Sequence, residues 1–210
     1  MIRIKICGLT RPEDVDAAVN MGADAIGFVF YPESKRYVSP EMARRLVGRV
    51  PPFVTTVGLF VNESPLIIEE ILSEVPLSLL QFHGNESAYD CERYFRPYVK
   101  AIRVNGETDF SDIQAQFASA KGFLLDADSK AFGGSGQTFD WSLIPETFNK
   151  PVILAGGLNA ENVEEAIRQV KPYAVDVSSG VESEPGIKCH SKMRAFIEKV
   201  RQQGSIIHDK

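Results

Sequence analysis

Short apolar runs recur along the chain at regular intervals, each too brief for a buried helix and most of them ending at Gly, Asn, Asp, His or Ser. Rich in Ile, Val, Leu and Phe, they predict strands at 3–7, 25–30, 53–61, 77–82, 99–104, 122–126, 152–155 and 173–177. The intervening stretches change to helical spacing. Pro12 to Met21 opens with proline and acidic residues, the composition of a first helical turn. Pro40 to Val50 follows Ser39 and Pro65 to Glu74 follows Ser64, each serine being an expected N-cap. Val163, Ala166, Ile167 and Val170 share one face of a helix expected over 159–170, with Asn159 as its cap. A last helix is expected over 188–203. The stretches 109–117 and 140–148 fit either a short helix or an irregular connection.

Each strand is therefore followed by a connector long enough for a crossover, which excludes hairpins over most of the chain and implies parallel pairing. Eight such units leave no length for a second domain. The economical arrangement is an α/β fold, a single-domain (β/α)8 TIM barrel over 1–203 with a tail over 204–210. An open doubly wound sheet is the runner-up, but it normally needs fewer strands and a different first turn.

Composition narrows the class. The balance of 44% hydrophobic and 24% charged residues is that of a globular domain. A net charge of -5 argues against nucleic acid as a partner, though not against small anions. No apolar run is long enough for a membrane helix, and no leader pattern is evident, so neither membrane nor export is expected. Cys7, Cys91 and Cys189 are scattered and odd in number, which suits a reducing cytoplasm and offers neither a disulfide framework nor metal-ligand spacing.

In a parallel barrel the chemistry gathers where strands end. Gly156 and Gly157 after the seventh strand, with Ser179 and Gly180 after the eighth, expose backbone amides where such barrels often hold phosphate. Gly134 and Ser135, within Gly133-Gly134-Ser135-Gly136, extend the same pattern. Cys7 closes the first strand and would face the mouth; a thiol there is either a small core group or a base, and a cation such as Lys5 or Arg36 would raise its thiolate fraction. Asp126 ends an apolar run, where a buried carboxylate calls for a partner or a proton-transfer role. Asp176 stands likewise at the end of the eighth strand. Arg36 in the loop after the second strand could grip a carboxylate with two parallel hydrogen bonds. His83 ends the fourth strand, where it could contribute to substrate binding or only satisfy its loop.

These residues, in this order, resemble the phosphoribosylanthranilate isomerase family of tryptophan biosynthesis. The likeness rests on Lys5-Ile6-Cys7-Gly8-Leu9-Thr10, Ser34-Lys35-Arg36-Tyr37 and Gln81-Phe82-His83-Gly84. It continues through Leu125-Asp126, Gly133-Gly134-Ser135-Gly136, Ala155-Gly156-Gly157-Leu158 and Asp176-Val177-Ser178-Ser179-Gly180-Val181-Glu182. The resemblance implies an Amadori rearrangement of N-(5-phosphoribosyl)anthranilate, with Asp126 as general acid and Cys7 as general base. It implies Arg36 on the anthranilate carboxylate and Asp176 on a ribose hydroxyl or the anthranilate nitrogen. Gly134, Ser135, Gly157, Ser179 and Gly180 are implied phosphate contacts. No metal or nicotinamide is required by that chemistry, and a cytoplasmic monomer or homodimer is expected. Two other readings compete: a histidine-pathway isomerase with a carboxylate in place of Cys7 and two phosphate sites, and a non-catalytic sugar-phosphate-binding barrel.

Overall fold

The computed structural model describes residues 1–127 and 138–206. Eight strands, β1 (Arg3–Cys7), β2 (Ala25–Val29), β3 (Thr55–Phe60), β4 (Leu79–Phe82), β5 (Tyr98–Val104), β6 (Phe123–Ala127), β7 (Val152–Leu154) and β8 (Ala174–Val177), pair in chain order. All these pairings are parallel, and β8 returns to β1 with Lys5 opposite Asp176, closing the barrel. The connectors carry α1 (Pro12–Asn20), α2 (Pro40–Val47), α3 (Pro65–Glu74), α4 (Ala88–Glu92), α5 (Phe110–Gln116), α6 (Val163–Val170) and α7 (His190–Ile206).

The twofold period of each strand divides its residues between two environments. Ile4 and Ile6 of β1 are fully buried in the large cluster between barrel and helices, with Val15, Ala18 and Phe196. Cys7, on the opposite face, packs inside the barrel with Val29, Leu59 and Val61. Four apolar residues buried at roughly 1.5–3 kcal/mol each make that small inner cluster a firm floor for the chemistry above it.

Local rules set most helix starts. Ser39 accepts a hydrogen bond from the Met42 amide and Ser64 from that of Ile67, with proline in the first turn of each helix. Elsewhere long-range contacts prevail. Asn159 does not cap a helix directly; its Oδ1 accepts from the Glu161 and Asn162 amides in a turn, and α6 begins later, at Val163. The stretch 140–148 holds a single 3₁₀ turn, Trp141–Leu143. Lys188 does not start the last helix: β9 (Glu182–Glu184) and β10 (Ile187–Lys188) form an antiparallel ribbon, and α7 follows it. That helix runs on to Ile206, into the stretch expected as a tail.

Candidate active site at the mouth of the barrel

A cavity opens at the C-terminal ends of the strands. Cys7, Arg36 and His83 line one part of its wall, and Asp126, Asp176 and Gly156 another. Gly157 and Ser179 complete the rim on the side of the β7 and β8 loops. The predicted positions are thus gathered around one space, apart from Gly134 and Ser135, which lie outside the described residues, and Gly180, which packs behind the rim.

Cys7 is only 4% exposed. Its sulfur occupies the place where Gly27 of β2 lacks a side chain: a Cβ there would stand 2.8 Å from Sγ and 3.2 Å from Cε of Lys5. Burial pushes the Cys7 thiol up, the Lys5 ammonium pulls it down, and Asp176 pushes it up again. The net direction is upward, because desolvation outweighs the attraction of the nearby cations. Lys5 donates to Asp176 Oδ1 at 2.9 Å, and both side chains are buried.

Asp126 is held at both oxygens. Oδ1 accepts from the Ala127 amide at 2.8 Å, and Oδ2 lies 3.1 Å from His83 Nε2. His83 Nδ1 lies 3.0 Å from Gln81 Nε2. Since an amide nitrogen only donates, Gln81 makes Nδ1 the acceptor and leaves the ring proton on Nε2, facing the carboxylate. His83 therefore reaches the site as the partner of Asp126. Gly156, with φ +80°, clears room for the same group: a Cβ there would fall 2.7 Å from the Ala127 amide nitrogen and 3.0 Å from Asp126 Oδ1.

Arg36 crosses the mouth over Gly8, where a Cβ would come within 2.6 Å of the arginine Cδ. Its Nε and Nη2 donate to the two oxygens of Glu182, at 2.8 and 2.7 Å. One edge of the guanidinium is therefore occupied, and the Nη1–Nη2 edge is the one left for a second carboxylate. Glu182 also receives Lys188 Nζ at 2.8 Å. Burial would push the Glu182 carboxyl up, but the bonds from Arg36 and Lys188 outweigh it and hold the group below the usual carboxylate range.

The glycine-rich loops meet closely. Gly157 has φ +62°, and its carbonyl accepts from Asn162 Nδ2 at 3.0 Å, tying the β7 loop to the start of α6. Ser179–Val181 forms a 3₁₀ turn after β8. A Cβ on Gly180 would sit 1.9 Å from the Leu158 carbonyl oxygen, so only glycine lets the two loops touch. Lys188 Nζ donates to the Ser178 carbonyl at 3.1 Å and fixes the β8 loop from below.

Sequence reasoning overlooked Gln81, Lys188 and any role for Glu182. Glu182 and Gln81 both stood in quoted motifs, and Gln81 on β4 lies two residues before His83, just past the strand end, a spacing that was an available signal. Lys188 carried none. Among the described residues no group of three or more His, Cys, Asp or Glu could hold a metal ion. Among them, too, no helix is long and apolar enough to cross a membrane.

Comparison with known proteins gives matches over nearly the whole chain. The family model for N-(5'-phosphoribosyl)anthranilate (PRA) isomerase matches residues 4–199. An N-(5'-phosphoribosyl)anthranilate isomerase of Pseudomonas fluorescens is 57% identical over 201 residues, covering 95% of this chain and 98% of its own. That of Dechloromonas aromatica is 55% identical over 200 residues, covering 95% and 96%. The crystal structure of phosphoribosyl anthranilate isomerase from Thermotoga maritima superimposes with a TM-score of 0.89 at 47% identity, covering 96% of this chain and all of that one. A phosphoribosyl anthranilate isomerase in complex with reduced 1-(o-carboxyphenylamino)-1-deoxyribulose 5-phosphate gives 0.83 at 42% identity, with coverage of 96% and 100%.

Proposed function

The chain belongs to the N-(5'-phosphoribosyl)anthranilate isomerase family, and from that premise we propose how its mouth residues carry out the reaction. The protein is an isomerase of tryptophan biosynthesis that converts N-(5-phosphoribosyl)anthranilate to 1-(2-carboxyphenylamino)-1-deoxyribulose 5-phosphate by an Amadori rearrangement.

In the proposed assignment Asp126 protonates the furanose ring oxygen. The bond from C1 to that oxygen breaks, and the anthranilate nitrogen lone pair forms an iminium at C1. Cys7, as thiolate, removes the proton from C2; the released pair forms the C1–C2 double bond of an enolamine and neutralises the nitrogen. Tautomerisation then gives the ketone. Every electron pair stays within the substrate, and the iminium acidifies C2, so a sulfur base suffices. The reading is supported above all by Cys7 and Asp126 lining one cavity beside the two glycine-rich loops.

Arg36 is assigned to the anthranilate carboxylate through its Nη1–Nη2 edge, and Asp176 to a ribose hydroxyl or the anthranilate nitrogen. The amides around Gly157 and Ser179 are assigned to the phosphate, with Gly180 permitting their approach. Gly134 and Ser135 are assigned there by sequence alone. His83 is assigned to orient Asp126. Holding phosphate and carboxylate at once would pin the flexible open-chain intermediate between acid and base. The Thermotoga maritima isomerase, described as dimeric although solved there as generated monomers, supports a homodimer here; the pathway and three free cysteines support a cytoplasmic location.

The direct test incubates the purified protein with phosphoribosylanthranilate and follows the substrate's anthranilate fluorescence. Enzyme-dependent loss of signal is expected. Saturable binding without that loss would mean a sugar-phosphate-binding barrel instead.

A further inference from the structure

We propose that Lys5 is the charge partner of Cys7: a buried ammonium, anchored on Asp176, that stabilises the thiolate which takes the C2 proton. This rests on the reading of Cys7 as the base. Lys5 acts on the substrate only through that sulfur and is therefore a positioning residue.

The geometry begins with spacing. Residues two apart on a strand share a face, so Lys5 and Cys7 both point into the barrel. The absent side chain of Gly27 leaves room for both, Cε of Lys5 and Sγ of Cys7 converging on the place its Cβ would take. The register of β1 against β8 sets Asp176 directly opposite Lys5, and the 2.9 Å bond between them fixes the ammonium. An ammonium has three protons to donate. One goes to Asp176, and the Cys7 sulfur, which shares with the Lys5 side chain the space left by Gly27, is the neighbour whose charge acts on the ammonium.

The remaining charges facing Cys7 differ in kind. Asp176 on β8 is an anion and opposes thiolate formation. Lys188 on β10 favours it but is committed to Glu182 and the Ser178 carbonyl. Arg36, in the loop after β2, is committed to Glu182. His83 and Asp126 line the same cavity and are bonded to each other. Lys5 thus neutralises the anion beside the sulfur and shares with the sulfur the space that Gly27 leaves. Without it, a thiolate would form next to an uncompensated carboxylate. In the step itself the S–H bond forms and the C2–H bond breaks, the electron pair passing toward the iminium; Lys5 keeps its proton throughout.

The test titrates Cys7 by alkylation with iodoacetamide in the full-length, substrate-free protein, between about pH 6 and pH 10. A Cys189→Ser background removes the more accessible thiol, and the modified peptide is quantified by mass spectrometry. Lys5→Met is expected to move the profile upward by at least about one pH unit, and so to slow alkylation roughly tenfold at about pH 8. Lys5→Arg should return most of it. Should the lone Asp176 charge prevent folding, Lys5→Met with Asp176→Asn is the fallback, and a smaller upward move is expected. A wild-type or downward-moved profile in the variant that folds would overturn the proposal. Turnover of Cys7→Ser separates the two ideas. If that variant is inactive while the Lys5→Met profile is unmoved, the base assignment survives and the role of Lys5 does not. A fully active Cys7→Ser would remove the base assignment itself.

Discussion

Glu182 grips Arg36 with both carboxylate oxygens while taking Lys188 on Oε1. One side chain thereby orients the arginine assigned to the anthranilate carboxylate and is itself braced by a fully buried lysine. As the brace of Arg36, Glu182 is expected to influence substrate binding without touching substrate. Glu182→Gln should keep the shape but lose the charge, freeing Arg36 to turn. KM is expected to rise about tenfold, equivalent to about 1.4 kcal/mol, with kcat within a factor of about three. Steady-state kinetics checks this; an unchanged KM would show that Arg36 needs no brace.

Gly180 offers a steric counterpart. The Leu158 carbonyl that a Cβ would strike belongs to the backbone, so no rotamer change relieves the overlap. Gly180→Ala should push the β7 and β8 loops apart, lowering stability by about 1–3 kcal/mol. It should also weaken inhibition by inorganic phosphate. A denaturant midpoint and an inhibition constant measured on the same preparation test both consequences.

Much of this site was legible in the chain, and the limits have a common cause. The strands, the Ser39 and Ser64 caps and the placing of Cys7 and Asp126 at strand ends follow from period, cap chemistry and topology, all of them local. What escaped depends on partners far apart in sequence. Lys188 reads as a helix start, yet its amide is held by Asp14, 174 residues away, and its ammonium by Glu182. His83 is tied to Asp126 across 43 residues. The direction of the Cys7 shift was not legible for a related reason: neighbouring cations can be seen in a sequence, whereas the desolvation that outweighs them belongs to the fold.

Asp14 ties the first helix to the far end of the chain. Fully buried on α1, it accepts from Arg11, the Lys188 amide and His190 Nε2, joining α1 to the ribbon and to α7. Burial would push its carboxyl up, but these bonds outweigh burial and hold it below the ordinary value. Its contribution is therefore complete above the usual carboxylate range and is lost as pH falls through the lowered folded value. Asp14→Ala should cost about 2–4 kcal/mol near neutrality. The deficit should shrink below about pH 4. Urea unfolding of both proteins at neutral and acid pH checks the magnitude and the sign.

In the proposed reaction Cys7 and Asp126 exchange protons with neighbouring atoms of one bound sugar. The decisive measurement is steady-state turnover of phosphoribosylanthranilate by Cys7→Ser and Asp126→Asn, each verified as folded by its unfolding midpoint. Each variant should lose about 10² to 10⁴ in kcat. Wild-type turnover by either variant would contradict the assignment.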